Sequence, residues 1–178
     1  MQKSWRIPGA GLAALMACGM FGRALAQDAA GLEARVAALE AREQIRELIY
    51  AYGRALDTRN FVAFAGLFAE ADGTWVGGFG EASGRDAIFE MMDSRIGHAD
   101  PPIEPVSHHV FTNIQIDVDG AGAHATTKWI FVVPAADGSP RWMYLGHYQD
   151  RFVRRDGRWY FLRREAFTDI PPPAGGNP

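Results

Sequence analysis

Three side chains stand where they could share one apolar cavity and move a proton in it. Asp57 closes the stretch from Ile45 to Asp57, where Ile45, Leu48, Ile49, Tyr52 and Leu56 recur at three- and four-residue steps. That spacing predicts an amphipathic helix lying on a core. The carboxylate follows the apolar Ala55 and Leu56 and precedes the polar Thr58, Arg59 and Asn60. It is therefore expected where a buried helix meets the mouth of a cavity, and Tyr52, roughly one and a half turns earlier, is near enough to share it. The third group is a histidine. His98 falls in a loop and His124 just after a turn, both solvated settings. His108 and His109 open a long strand whose alternation sends neighbours to opposite faces, so one of the two must face the helices. With the turn at Asp119 and Gly120 setting the register, the pair opposes the apolar run Trp129 to Val132. Desolvation there disfavours an imidazolium and favours the neutral ring that a general base needs. A carboxylate and an imidazole on opposite walls of a dry cavity can carry a proton between carbon and oxygen of a substrate without a cofactor.

Around these groups, Trp129, Phe131 and His108 are candidate substrate contacts. So are Tyr148 and His147, adjacent on a later strand, of which only one can line the pocket. Asp150 has a different reading. It sits in a central strand, Gly146 to Phe152, where an unpaired charge is costly, and the turn at Asp156 and Gly157 places it opposite Arg163 or Arg164. A structural ion pair explains it better than catalysis. No metal or nucleotide motif is present: His108 and His109 diverge without an H-x3-H or C-x2-C partner, and Gly77-Gly78-Phe79-Gly80 has neither dinucleotide nor Walker spacing. The expectation is no metal and no cofactor.

The elements that must hold these residues fall into two blocks. A leader from Asp28 carries a short apolar stripe, Leu32, Val36 and Leu39, among charges; it reads as a solvated turn feeding the main helix, with room for a dimer contact. Asn60 caps a second helix with Phe61, Phe64, Leu67 and Phe68 on one face, and Asp72-Gly73 stops it. A short strand spans Thr74 to Phe79, a third helix opens at Ser83-Gly84-Arg85-Asp86, and Gly97 to Pro105 is a loop. From Val106 onward four long strands alternate with turns, ending near Val118, Val133, Arg154 and Thr168. Helices first and strands afterwards define an α+β class, with three N-terminal helices on a mainly antiparallel sheet and a pocket between them.

Composition agrees. The chain has 178 residues, 48% hydrophobic and 22% charged, enough for one domain with a real core. Eighteen basic and twenty-one acidic residues give a net charge of -3, with no like-charge run to attract nucleic acid, so a small hydrophobic molecule is the expected partner. Residues 1–26 read as an export signal. Lys3 and Arg6 precede an apolar run from Ile7 to Phe21, and Ala24-Leu25-Ala26 offers a cleavage site before Gln27. The run is shorter than the roughly 20 residues of a membrane span. Leu15-Met16-Ala17-Cys18 also resembles a lipobox, so a lipoprotein anchored at Cys18 is the alternative to a periplasmic protein. Residues 27–170 then form the domain, and the tail 171–178 is too rich in proline and glycine to pack.

Several segments together resemble the SnoaL-like family of the nuclear-transport-factor-2-like superfamily. They are Leu39-Glu40 to Ala55-Leu56-Asp57, Phe68 to Gly73, Ser83 to Ile88, the H-x3-N of His109 to Asn113, Tyr148-Gln149-Asp150-Arg151, and Asp156-Gly157-Arg158-Trp159. The resemblance runs from about Leu32 to Asp169. It implies a cone of three helices against a strongly curved sheet around an apolar pocket, often in a homodimer or higher homo-oligomer. It also implies cofactor-free lyase or isomerase chemistry like that of scytalone dehydratase and the bile acid 7α-dehydratases. On those families' catalytic positions fall Tyr52, Asp57 and His109, which places His109 rather than His108 in the site. Val133 and Thr168 stand where the bile acid enzymes carry Asp and Arg. The expected activity is therefore a dehydratase-like proton transfer on a hydrophobic, hydroxylated aromatic or polycyclic molecule. His109 is its base, Asp57 orients that base or shares its proton, and Tyr52 holds a substrate oxygen. The alternative is an exported, non-catalytic ligand-binding or assembly module of the same fold.

Overall fold

In the computed structural model, residues 11–172 are described, with side chains from Asp28 onward. Lys3 and Arg6 of the export signal, and all but the first two residues of the tail, lie outside the described residues. Helix α1 spans Gly11–Asp57, α2 Phe61–Gly66 and α3 Arg85–Ile96. Six strands follow the same numbering: β1 Thr74–Gly77, β2 Gly80–Ser83, β3 His108–Asp119, β4 Gly122–Pro134, β5 Pro140–Arg155 and β6 Arg158–Ile170. The chain divides into two units, residues 1–40 and 41–178. The sheet, α2, α3 and the residues Tyr52, Asp57 and His109 belong to the second. Among the described residues no helix is long and apolar enough to cross a membrane.

The sheet is one curved layer in the order β2-β1-β6-β5-β4-β3, antiparallel except where β1 runs parallel to β6. The fold class is α+β, with helices packed on one face of a mostly antiparallel sheet. Local chemistry accounts for most boundaries. The Asn60 side chain accepts the Ala63 N–H at 3.0 Å and caps α2. The α3 helix ends at Gly97, whose φ of 90° suits glycine alone. Asp156 and Gly157, with φ of 49° and 78°, make the tight turn between β5 and β6. Two details differ from expectation. The leader and the main helix are one continuous helix of 47 residues. The single short strand at Thr74 to Phe79 is a hairpin, because Gly78 and Phe79 form a two-residue turn and Gly77 pairs with Gly80.

Strand β3 contains an interruption that matters for the site. Pairing with β4 slips between Thr112 and Gln115, and Asn113 within that bulge has φ of 52°. Asparagine tolerates this left-handed conformation better than most residues. Before the bulge the odd-numbered His109 and Phe111 face inward; after it the even-numbered Ile114, Ile116 and Val118 do. The H-x3-N spacing thus measures the distance from a pocket histidine to a change of strand parity.

The core is aromatic. Ile45, Ile49 and Tyr52 of α1 meet Phe61, Phe64 and Phe68 from α2 and its exit, and Phe152 and Phe161 from the sheet, all essentially inaccessible. Each such side chain contributes about 1.5–3 kcal/mol through burial. Gly53 lets α1 approach the sheet, since a Cβ there would lie 2.7 Å from the Phe111 ring. Within this apolar layer sits one ion pair. The Arg164 Nε and Nη2 groups donate to the two Asp150 oxygens at 2.8 and 2.7 Å, and neither side chain has any exposure. Burial alone would lower the Arg164 pKa, but the Asp150 carboxylate more than offsets this and holds the guanidinium above its usual value. Asp150→Asn leaves a buried cation unpaired and should cost about 3–5 kcal/mol of stability, measured by urea unfolding. Whatever activity the protein has should survive in the folded fraction, and a catalytic role would show as the opposite pattern.

Candidate active site

Asp57 is the last residue of α1, at the negative end of the helix dipole, where a carboxylate is unfavourable without donors. The first turn of β3 supplies them. The His109 backbone N–H reaches both Asp57 oxygens, at 3.0 and 3.2 Å, and His109 Nδ1 lies 2.6 Å from Oδ1. Both side chains are largely buried, with 14% of the histidine and 11% of the aspartate exposed. The chain around them is tied down as well: Ile103 N–H donates to the Thr58 carbonyl and Ala99 N–H to that of Arg59, at 3.1 Å each. A carboxylate accepting at Nδ1 fixes the tautomer, so the proton sits on Nδ1 and Nε2 carries the free lone pair.

His109 lines a cavity of about 250 Å³ between α1, α3 and the inner face of the sheet. Its ring rests on Phe131, with centroids 4.6 Å apart, and lies 6.4 Å from Trp129. Trp75 and Phe79, stacked at 5.9 Å, and Phe131 and Tyr144, stacked at 6.5 Å, form two aromatic walls. Leu56, Met92 and Ile96 complete an apolar lining. Trp129 is held against Tyr148 because Gly146 has no side chain: a Cβ there would collide with both the Trp129 ring and the Phe167 carbonyl. The Trp129 indole N–H is buried without a partner among the described residues. A broader groove of about 450 Å³ on the other face of the sheet is lined by polar chains such as Gln115, Asp117 and Arg151 and holds the Arg163–Glu165 ion pair.

Tyr52 and Tyr148 form the floor. The Tyr52 oxygen accepts the Trp75 indole N–H at 3.0 Å, which leaves its own O–H to donate. Behind the two phenols the Arg164 guanidinium lies 4.1 Å from each ring centroid. Burial raises the Tyr52 pKa and the nearby Arg164 charge pulls it partly back; burial pushes Tyr148 well above the ordinary phenol value. Both therefore remain protonated hydroxyls throughout the physiological range.

Of the residues singled out in the sequence, Tyr52, His109, Trp129, Phe131 and Tyr148 line this one cavity. Asp57 does not stand on an opposite wall; it backs His109 in direct contact, because the helix ends beside the first residues of β3 rather than across from them. His108 and His147 are corrected. His108 is exposed on the outward side of β3, and His147 points outward to Asp169 at 2.7 Å with its ring stacked on Phe167. Strand alternation puts both on the face away from the cavity. Trp75, Phe79, Tyr144, Met92 and Ile96 were not foreseen. Tyr144 pairs with Phe131, so the β4–β5 register could have found it. The pairing of β1 with β6 spans too great a sequence separation to be read from spacing.

The chain belongs to the SnoaL-like domain family, whose model matches residues 37–165. A nuclear-transport-factor-2-like protein of cystatin-like fold from Novosphingobium aromaticivorans is 28% identical over 80% of this chain and 91% of its own, with a TM-score of 0.68. A candidate scytalone dehydratase from the same organism is 27% identical, over 75% and 87% of the two chains, with a TM-score of 0.61. The beta subunit of a candidate aromatic-ring-hydroxylating dioxygenase, also from that bacterium, shares the fold at 19% identity, over 75% and 92%, with a TM-score of 0.62. No curated protein sequence matches the chain.

The buried phenols have a consequence for alkaline stability. The unfolded chain loses phenolic protons near pH 10 while folded Tyr52 and Tyr148 keep theirs, so the folded state binds more protons above that pH. Stability should be intact below about pH 10 and fall as the pH rises past it. Absorbance at 295 nm should show two of the five tyrosines ionising only together with unfolding.

Proposed function

We propose that this protein is a cofactor-independent lyase or isomerase acting on a hydrophobic, hydroxylated aromatic molecule, with His109 as its base. The observation that carries the reading is the Asp57–His109 contact at the edge of an aromatic cavity, which leaves Nε2 as a proton acceptor. His109 Nε2 takes a proton from a substrate carbon next to a carbonyl group. The electron pair moves onto that oxygen, where the Tyr52 O–H, polarised by Trp75 and backed by Arg164, donates a hydrogen bond. Asp57 stabilises the imidazolium. Collapse of the enolate then either expels a β-hydroxyl, which takes the proton from His109 and leaves as water, or returns the proton to another carbon. The first outcome is dehydration and the second isomerisation.

Size favours the smaller end of the expected substrates. A cavity of about 150 Å³ holds benzene, so about 250 Å³ suits one substituted ring or two fused rings better than a steroid. The similarity to a candidate scytalone dehydratase supports the same class of reaction. Export to the periplasm is part of this reading and rests on the order of Lys3, Arg6, the apolar run and Ala24-Leu25-Ala26, with Cys18 lipidation as its competitor.

Two experiments test it. Purified protein is incubated with a library of hydroxylated one- and two-ring aromatics, followed by thermal shift and mass spectrometry of products. For any compound turned over, His109→Ala and Asp57→Asn should each lower kcat/KM by about a hundredfold to ten-thousandfold, and the double variant little more. Ligands that bind without ever being converted would instead favour a non-catalytic module. For localisation, intact mass from an exporting bacterial host should begin at Gln27; a diacylglycerol adduct at Cys18 would mean the lipoprotein, and an intact Met1 would defeat both.

A further inference from the structure

Among the described side chains at the start of α1, three large apolar ones form an uncovered row: Leu32, Val36 and Leu39 are 59, 44 and 62% exposed. Single exposed leucines are ordinary, but a row at helical spacing is not. Nor does the row continue the stripe that enters the core, because the apolar positions change helical phase between Leu39 and Ala41 before Ile45, Ile49 and Tyr52. Its spacing is that of a coiled-coil seam. With Leu32 and Leu39 at heptad positions d, Val36 and Ala29 occupy a, Glu33 and Glu40 occupy e, and Asp28 and Arg35 occupy g. The seam stops at the next heptad, where its a and d positions are Glu43 and Arg46, an ion pair within the same helix.

We propose that residues 28–42 of α1 pair in parallel with the same segment of a second copy of this chain. A β-branched residue at a with leucine at d is the combination that favours two parallel strands. The charges agree with that partner and direction. In a parallel pair the g position of one helix meets the following e position of the other, so Arg35 faces Glu40 of the second copy twice over. An antiparallel pair would bring Glu33 against Glu40, like charges together. Among the residues from Asp28 onward only two heptads are apolar, and Asp28 faces Glu33 across the parallel seam, so the contact is a reversible one.

The test uses full-length protein carrying Cys18→Ser, so that an introduced thiol is the only one in the chain. Sedimentation equilibrium should show a concentration-dependent dimer, and Leu32→Asp with Leu39→Asp should weaken it by at least about tenfold without changing the circular dichroism of the fold. Arg35→Glu alone should weaken it by about fivefold, and Arg35→Glu with Glu40→Arg should restore it. Val36→Cys should cross-link to itself on mild oxidation. A monomer at all concentrations, or a dimer indifferent to Leu32→Asp with Leu39→Asp, would overturn the proposal. Cross-linking only in mixtures of Val36→Cys with Leu39→Cys would overturn the parallel arrangement.

Discussion

Arg164 is a cation with no access to water, and most of the inner face of the sheet is arranged around that fact. A guanidinium in such a place requires a carboxylate with both oxygens in line, and Asp150 on the neighbouring strand supplies it. The flat faces of the group must then be covered, and Tyr52, Tyr148 and Phe161 lie within 4.2 Å of it. Covering the cation fixes the two tyrosines as a floor. With the floor in place, Trp75 has an acceptor for its indole N–H and Trp129 has a ring to stack on. The candidate site is thus the upper surface of a charged and aromatic layer whose lower surface is structural.

Above that floor the second requirement is to bring two distant pieces of chain together. The end of α1 and the start of β3 are 52 residues apart, and Asp57 and His109 join them through three hydrogen-bonding contacts. An aspartate at a helix C-terminus is a poor local choice, and its cost is met only by the tertiary contact. Such local conflict at one position, in a chain otherwise consistent from level to level, is where function is expected to show.

The legible parts of the sequence were those governed by short-range rules. Helical periodicity around Tyr52, the Asn60 cap and the Asp156-Gly157 turn set elements and registers nearly as they stand, and the β5–β6 register correctly placed Asp150 opposite an arginine. His109 could be chosen over His108 only through the family resemblance, because alternation alone does not say which face is inside. What was not legible depended on long-range pairing: the parallel docking of β1 on β6, which brings Trp75 and Phe79 to the cavity, and the direct contact of Asp57 with His109. His108 and His147 looked eligible because histidines near a pocket draw attention, whereas a single step along a strand is enough to put a side chain outside.

The bulge at Asn113 gives β3 two reading frames. Upstream of it the strand writes its inward residues on odd numbers, and downstream on even ones, so the segment carrying His109 is out of step with the segment that fills the core. A slip of the segment before the bulge against β4 changes only the first frame, while Ile114, Ile116 and Val118 stay anchored in the second. The extra residue works as a clutch between the two halves of one strand. It allows the pocket end of the sheet to be re-cut for a new ligand while the hydrophobic interior, and with it the stability of the fold, is left where it was.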